Sequence, residues 1–244
     1  LSHGTSIKRD YTLLGQSRYR MRLSILSLLI MLTLNIINVN NLTMVDLVIY
    51  NGKIITMDPD RRIIERGSVH INGTLIEKVC DSETDNNLHN ARHTINAEGK
   101  LIFPGLINTH THTFQALIRG LGQDLPVWDW FENIIDKVVG QLTPRDCYLA
   151  AKISAIEAIK SGTTCLLDYN YTHPLPLLSD EAIEAFRSVG IRGILARGVL
   201  DTGKIHSSIV HDTKFELDDC LRLLETYHGL DDGMIFIWLA PYTI

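Results

Sequence analysis

Pro104-Gly105-Leu106-Ile107-Asn108-Thr109-His110-Thr111-His112 is the stretch on which the reading of the fold turns. Before it, short β-branched runs alternate with turn signals. Asn51-Gly52 and Asn72-Gly73 each sit between such runs, as two-residue type I′ hairpins require. Residues 44 to 103 are therefore expected to form a small β unit. Pro104-Gly105 then punctuates the chain, and the apolar period of two gives way to a strand-and-helix rhythm. Leu106 to Thr109 reads as a buried strand and Trp128 to Gln141 as a helix. Thr143-Pro144-Arg145-Asp146 opens a further helix with a Thr cap, Pro in the first turn and an early acid, and Ser161-Gly162 closes it. There follow a strand at Thr164 to Asp168, a helix opened by Ser179 and closed by Gly190, and a strand at Arg192 to Arg197. A helix around Phe215 to His228 and a strand at Met234 to Leu239 complete the rhythm. Strands separated by helices predict a parallel α/β structure. This rhythm alone does not separate a barrel from a doubly wound sheet, but no Gly-rich phosphate loop follows the first strand, which disfavours nucleotide binding.

His110 and His112 lie two apart at the carboxyl end of a predicted strand, so both side chains face one side and can bind one ion. The plainer alternative is a pair of hydrogen-bonded histidines at a strand end. In a chain with ten histidines the spacing is a weak signal, and the position gives it weight. Other candidates have equally plain alternatives. His173, in the loop after the second strand, is either a substrate contact or a solvated loop residue. Trp128 and Trp130 either wall an aromatic-substrate pocket or pack a helix on the sheet. Gln115 and Arg119 either line the cavity or close the strand-to-helix turn, and Asp168 either orients a ligand or caps a helix. His89 and His93 have helical spacing but fall in a polar, Asn-rich stretch that reads as loop.

Composition narrows the function classes. The chain of 244 residues is 45% hydrophobic and carries 23 basic against 28 acidic residues, a formal charge of -5. That balance supports a buried core and disfavours nucleic acid as the main partner. Cys80, Cys147, Cys165 and Cys220 stand far apart without a C-x-x-C pair, the pattern of reduced thiols in a cytoplasmic enzyme. Asn41, Asn72 and Asn170 begin N-x-T sequons, which matter only in a secreted chain.

Residues 1 to 43 differ from the rest. Lys8, Arg9, Arg18, Arg20 and Arg22 stand against the single acid Asp10, and an uncharged apolar run extends from Leu23 to Val39. This is the layout of a signal or membrane anchor, although no small-x-small cleavage site follows. The alternative is an upstream extension, with Met44 as the start of the functional chain. An anchor would make the protein membrane-bound or secreted; otherwise it is cytoplasmic.

The stretch from Pro104 to His112 resembles the amidohydrolase superfamily, in the branch of chlorotriazine hydrolases and methylthioadenosine/adenosylhomocysteine deaminases. Asn51 to Asp58, Arg119-Gly120, Asp124 to Trp130, Ser161 to Thr164, Arg197-Gly198 and Ala240-Pro241-Tyr242 are similar to that branch in the same order. The resemblance implies a (β/α)8 barrel, of which residues 104 to 244 would be the first half and about the first four strands. Residues 44 to 103 would be a small β-sandwich portion of a composite domain. It also implies one divalent metal, zinc first and iron as the alternative, held by His110 and His112, with a small heterocycle as substrate. The metal lowers the pKa of a water, which attacks an electron-poor ring carbon and displaces ammonia or another leaving group. Arg197 matches a substrate-binding arginine of the family, and Trp130, Gln115 and His173 are further substrate-binding candidates. Met234 to Ile244 has no lysine, so the bridging carbamate of two-metal relatives has no counterpart.

In the family a third and fourth histidine, a glutamate and an aspartate from later strands complete the site. The resemblance thus implies that this chain is the N-terminal portion of a longer enzyme, without a catalytic acid or base of its own and inactive alone. Nucleoside-deaminating relatives carry a ribose-binding glutamate and a substrate-binding histidine where this sequence has Val139 and Leu239. A smaller heterocycle, such as a triazine or pyrimidine, is expected instead. Family members are often dimers, which implies a homo-oligomer. The competing expectation is a non-catalytic remnant or interaction module that keeps the fold without the metal.

Overall fold

The computed structural model describes residues 44–88, 90–203 and 205–241. The basic and apolar segment before Met44 lies outside the described residues, as does His89. Among the described residues no helix is long and apolar enough to cross a membrane.

Residues 45 to 102 build a five-stranded mixed sheet from β1 (Val45–Ile55), β2 (Ile63–Asn72), β3 (Leu75–Asp81), β4 (Ala91–Asn96) and β5 (Leu101–Ile102). β1 is central, antiparallel to β2 and parallel to β4 and β5. This part is a single sheet; a facing second sheet, as a sandwich portion would require, is not among the described residues. The hairpin expected at Asn72-Gly73 forms with Gly73 and Thr74 as its loop, Asn72 pairing with Leu75 and Gly73 at φ +55°. Asn51-Gly52 does not turn the chain. It stays inside β1, where Asn51 takes φ +63° and the pairing with β2 shifts register on both sides of Gly52. The left-handed geometry is spent on a bulge. A Cβ at Gly52 would lie 2.4 Å from Ile102 Cδ1, so packing against β5 also requires glycine there. His93, expected in a loop, is an exposed residue of β4 paired with Leu47.

The second sheet is wholly parallel, in the order β6 (Leu106–Thr111), β7 (Thr163–Asn170), β8 (Arg192–Val199), β9 (Ile235–Pro241). A 3-10 turn at Thr113–Ile118 leads to α1 (Val127–Trp130), which continues through a π-helical turn, Phe131–Ile135, into α2 (Asp136–Val139). α3 (Pro144–Lys160) returns the chain to β7, α4 (Leu178–Val189) links β7 to β8, and α5 (Thr213–Tyr227) lies between β8 and β9. α3 starts as read from sequence, with a reciprocal capping box between Thr143 and Asp146. α4 does not. It begins at Leu178 behind Leu177 at φ +67°, and Ser179 turns its hydroxyl to His173 instead of capping.

Alternation along the strands fixes what faces the helices. Leu166, Leu195, Ile235 and Ile237 pack with Ala151, Ala155, Ala182, Ile183, Phe186 and Leu223 in one core. The small residues of α3 let it lie close, and Gly193 leaves room for Phe186, whose Cδ2 would be 2.4 Å from an added Cβ. β6, expected to be buried, is instead an edge strand: Leu106 is 62% and Ile107 67% exposed. Apolar composition marks a strand that has neighbours to pack on and cannot say whether both sides are filled. Because all four strands run the same way, Thr111, Asn170, Val199 and Pro241 end at one edge of the sheet.

Candidate metal centre

The geometry at that edge begins with a defect in β6. Asn108 pairs with Leu166 and Thr111 with Asp168, so β6 spends three residues where β7 spends two. Asn108 closes the bulge with its own side chain: Oδ1 accepts from the His110 backbone N–H at 3.1 Å, and Nδ2 donates to Thr111 Oγ1 at 3.0 Å. The extra residue sets Thr111 opposite Asp168, and His110 and His112 flank Thr111 at the end of the strand. The two imidazole centroids are 5.1 Å apart with the rings at 78°.

His112 is held on several sides. Its Nδ1 lies 2.9 Å from the main-chain carbonyl of Tyr169. A carbonyl only accepts, so Nδ1 carries the hydrogen and the Nε2 lone pair is left for a cation. The rings of Tyr169 and Tyr171 lie 5.4 and 5.3 Å from it. The next residue is tied down by Asp168, fully buried, whose carboxylate accepts from the Thr113 N–H at 2.8 Å and the Thr113 hydroxyl at 2.7 Å. Asp168 thus caps the 3-10 turn and holds the residue after His112 in place. Burial raises the Asp168 carboxyl above its ordinary value, opposed by these hydrogen bonds from Thr113 and Asn170. Two adjacent imidazoles, one with its tautomer set, fit a divalent metal of the zinc type.

A cleft of about 830 Å³ runs beside β6, reaching from His112, Gln115 and Trp130 to Glu157 and Thr163. Two of the substrate-binding candidates therefore share a cavity with a metal-ligand candidate. Trp130 is fixed there by donation from its Nε1 to the Leu121 carbonyl at 3.1 Å, and Gln115 Nε2 sits 3.5 Å from the Tyr171 hydroxyl. Trp128 is 78% exposed and does not wall the cleft. Arg119 borders the cleft and closes the turn as well, in a paired contact with Glu157 at 2.9 and 2.8 Å.

The other two candidates lie elsewhere. Arg197 shares the helix-facing side of β8 with Leu195 and is fully buried, its Nε 2.9 Å from Asp219 and its Nη1 2.8 Å from Glu216, both on α5. It anchors sheet to helix in place of lining the cleft; strand phase, which a lone arginine does not reveal, decides this. Burial raises the Glu216 carboxyl, with Arg197 pulling the other way. His173 is 5% exposed, with Nε2 2.9 Å from the Asn170 carbonyl and Nδ1 3.3 Å from the Ser179 hydroxyl. Burial first, then Arg197, holds its pKa well below the ordinary value, so it is a neutral brace of the loop after β7. Sequence reading missed Asn108, Thr113, Tyr169 and Tyr171; only the tyrosine pair, two apart at a strand end, carried any signal.

The family model described as "Amidohydrolase family" matches residues 101–243. A 5-methylthioadenosine/S-adenosylhomocysteine deaminase of Thermoanaerobacter pseudethanolicus is 31% identical over 197 residues, 81% of this chain and 42% of the relative. A 5'-deoxyadenosine deaminase of Methanosarcina mazei is 34% identical over 199 residues, 82% of this chain and 43% of the relative. An atrazine chlorohydrolase of Arthrobacter aurescens, solved with zinc, superposes with a TM-score of 0.73 at 25% identity, covering 81% of this chain and 47% of that one. The chain thus spans less than half the length of these relatives. With the family match extending from β5 through β9 and the paired histidines standing inside it, the chain belongs to the amidohydrolase family.

Proposed function

We propose that this chain contributes the first two metal ligands, His110 and His112, of a hydrolase that displaces ammonia or a related leaving group from an aromatic N-heterocycle. The observation that carries the reading is the bulge-directed pairing of these histidines, with His112 Nδ1 committed to the Tyr169 carbonyl. One divalent ion, zinc or else iron, would supply Lewis acidity and make a water nucleophilic near neutral pH. The chain's own residues bind and orient: Trp130 offers an aromatic face to a flat ring, and Gln115 offers an amide to its nitrogens. Val139, at the position of the nucleoside relatives' ribose contact, is fully buried in the core.

In this reading the four-stranded parallel sheet is the opening of a (β/α)8 barrel, and residues 44 to 103 belong to a composite β domain. A homo-oligomer in the cytoplasm completes the proposal. Metal analysis of the purified protein tests it, followed by ammonia or halide release from triazines, pyrimidines and 5'-deoxyadenosine. One zinc or iron bound through His110 and His112, with turnover by the longest natural form of the protein, is the expected result. A stable, metal-free protein would favour the non-catalytic module.

A further inference from the structure

A second group of ligating atoms lies in the other sheet. His70 of β2, Cys80 of β3 and Asp85 in the turn after β3 offer a nitrogen, a sulfur and an oxygen, all within 4.8 Å of one another. The hairpin register brings them together, because β2 and β3 pair Ser68 with Cys80 and His70 with Lys78. Alternation then puts Ser68, His70 and Cys80 on one face. His70 is 4% and Asp85 6% exposed, and Cys80 is half-buried, so the group is enclosed yet reachable.

The Asp85 carboxylate is oriented with its two oxygens given different tasks. Oδ1 accepts from Lys78 Nζ at 3.0 Å and from the Asn87 backbone N–H at 3.2 Å. Oδ2 faces the cluster, 2.5 Å from both the Ser68 hydroxyl and His70 Nε2. Ser68 Oγ is also 3.3 Å from Cys80 Sγ. A tetrahedral zinc with bonds of about 2.0 to 2.3 Å needs ligand atoms roughly 3.3 to 3.8 Å apart. To meet that spacing His70 Nε2 and Asp85 Oδ2, now 2.5 Å apart, would have to part around the ion.

We propose that His70, Cys80 and Asp85 form a divalent-cation site of the zinc type, separate from the His110–His112 pair. Nε2 of His70, Sγ of Cys80 and Oδ2 of Asp85 are the ligands, with water or the Ser68 hydroxyl as the fourth. A bound ion would take the Nε2 lone pair of His70, leaving the ring hydrogen on Nδ1, and the Cys80 sulfur as thiolate. Lys78 stays on the non-coordinating oxygen and opposes the positive charge, which limits affinity. By joining β2, β3 and the turn that follows, the ion would clamp the hairpin.

Cobalt(II) added to purified H110A/H112A protein tests this without the first site. One equivalent of bound cobalt is expected, with a thiolate-to-cobalt absorption band in the near ultraviolet, and both disappear when Cys80→Ser or His70→Gln is added. Cys147, Cys165 and Cys220 are buried, so the band reports Cys80. Retention of the band in the Cys80→Ser protein, or no bound cobalt after dialysis of H110A/H112A, overturns the proposal. If H110A/H112A fails to fold, the unsubstituted protein serves. A drop from two bound equivalents to one on Cys80→Ser supports the site, and unchanged stoichiometry refutes it.

Discussion

The two histidine clusters are built on opposite principles. His110 and His112 lie two apart in sequence, with His112 bordering a cleft and held by a main-chain carbonyl and, through Thr113, by a buried carboxylate. His70, Cys80 and Asp85 come from three places and are enclosed, with the carboxylate itself inside the cluster and already accepting from Ser68, His70 and Lys78. The first arrangement commits His112 Nδ1 to a carbonyl and leaves Nε2 to face a cation. The second is stable without one, and any cation must displace protons that now satisfy it. Readiness and enclosure therefore trade against each other, and the difference can be measured.

The largest expected effect is at the open pair. His112→Ala removes a ligand outright, and zinc affinity at that site should fall by about 100-fold or more, read by competition with a chelating dye. The cobalt–thiolate signal at Cys80 should not move; if it does, the clusters are not independent. Asp85→Asn comes next, because it leaves the donors of an enclosed cluster without their charged acceptor. A loss of about 1 to 3 kcal/mol in urea unfolding at pH 7 is expected.

Acid sharpens that prediction. Burial raises the Asp85 carboxyl, but hydrogen bonds from Ser68, His70 and Lys78 together outweigh it and hold the group well below the usual carboxylate range. A depressed folded-state pKa contributes stability above the unfolded value, about 4, that is lost as pH falls toward the folded one. The gap between wild type and Asp85→Asn should therefore begin to shrink below about pH 4; a gap still undiminished at about pH 2 would show that shape, not charge, is at stake.

Asp168→Asn keeps the size of the side chain while weakening its hold on Thr113. About a tenfold loss of zinc affinity with little change in ligand identity is expected, since the effect passes through the position of His112. Lys78→Met is the smallest. Its side chain is 45% exposed, so the metal-free protein should lose no more than about 1 kcal/mol, while cobalt uptake at Cys80 improves. A fall in uptake would mean that the lysine helps to hold the ligand carboxylate.

How much of this the sequence could tell follows from the range of the signals. The His110–His112 pair stands out in the sequence because its spacing equals the strand period, and the capping box at Thr143 was legible because all its parts lie within four residues. The second cluster was invisible, since a ten-residue and a five-residue gap mean nothing until the β2–β3 register is known. Asn51-Gly52 carries the same letters as a hairpin turn, but β5 and β2 decide that it becomes a bulge. Arg197 matched a motif by letter, while one step of strand phase turned it to α5. Ser179 was outbid as a cap by a left-handed Leu177 that depends on the whole loop around His173.

The contact between His112 and the Tyr169 carbonyl carries a consequence for inheritance. The oxygen that sets the imidazole's tautomer belongs to the backbone and is present whatever residue occupies position 169. Point substitution cannot delete it; only displacement of β7 can. A lineage could therefore change the side chains around the cleft freely, exploring new substrates, while the donor nitrogen stayed aimed. The same arrangement ties the aim of that nitrogen to the integrity of one inner strand.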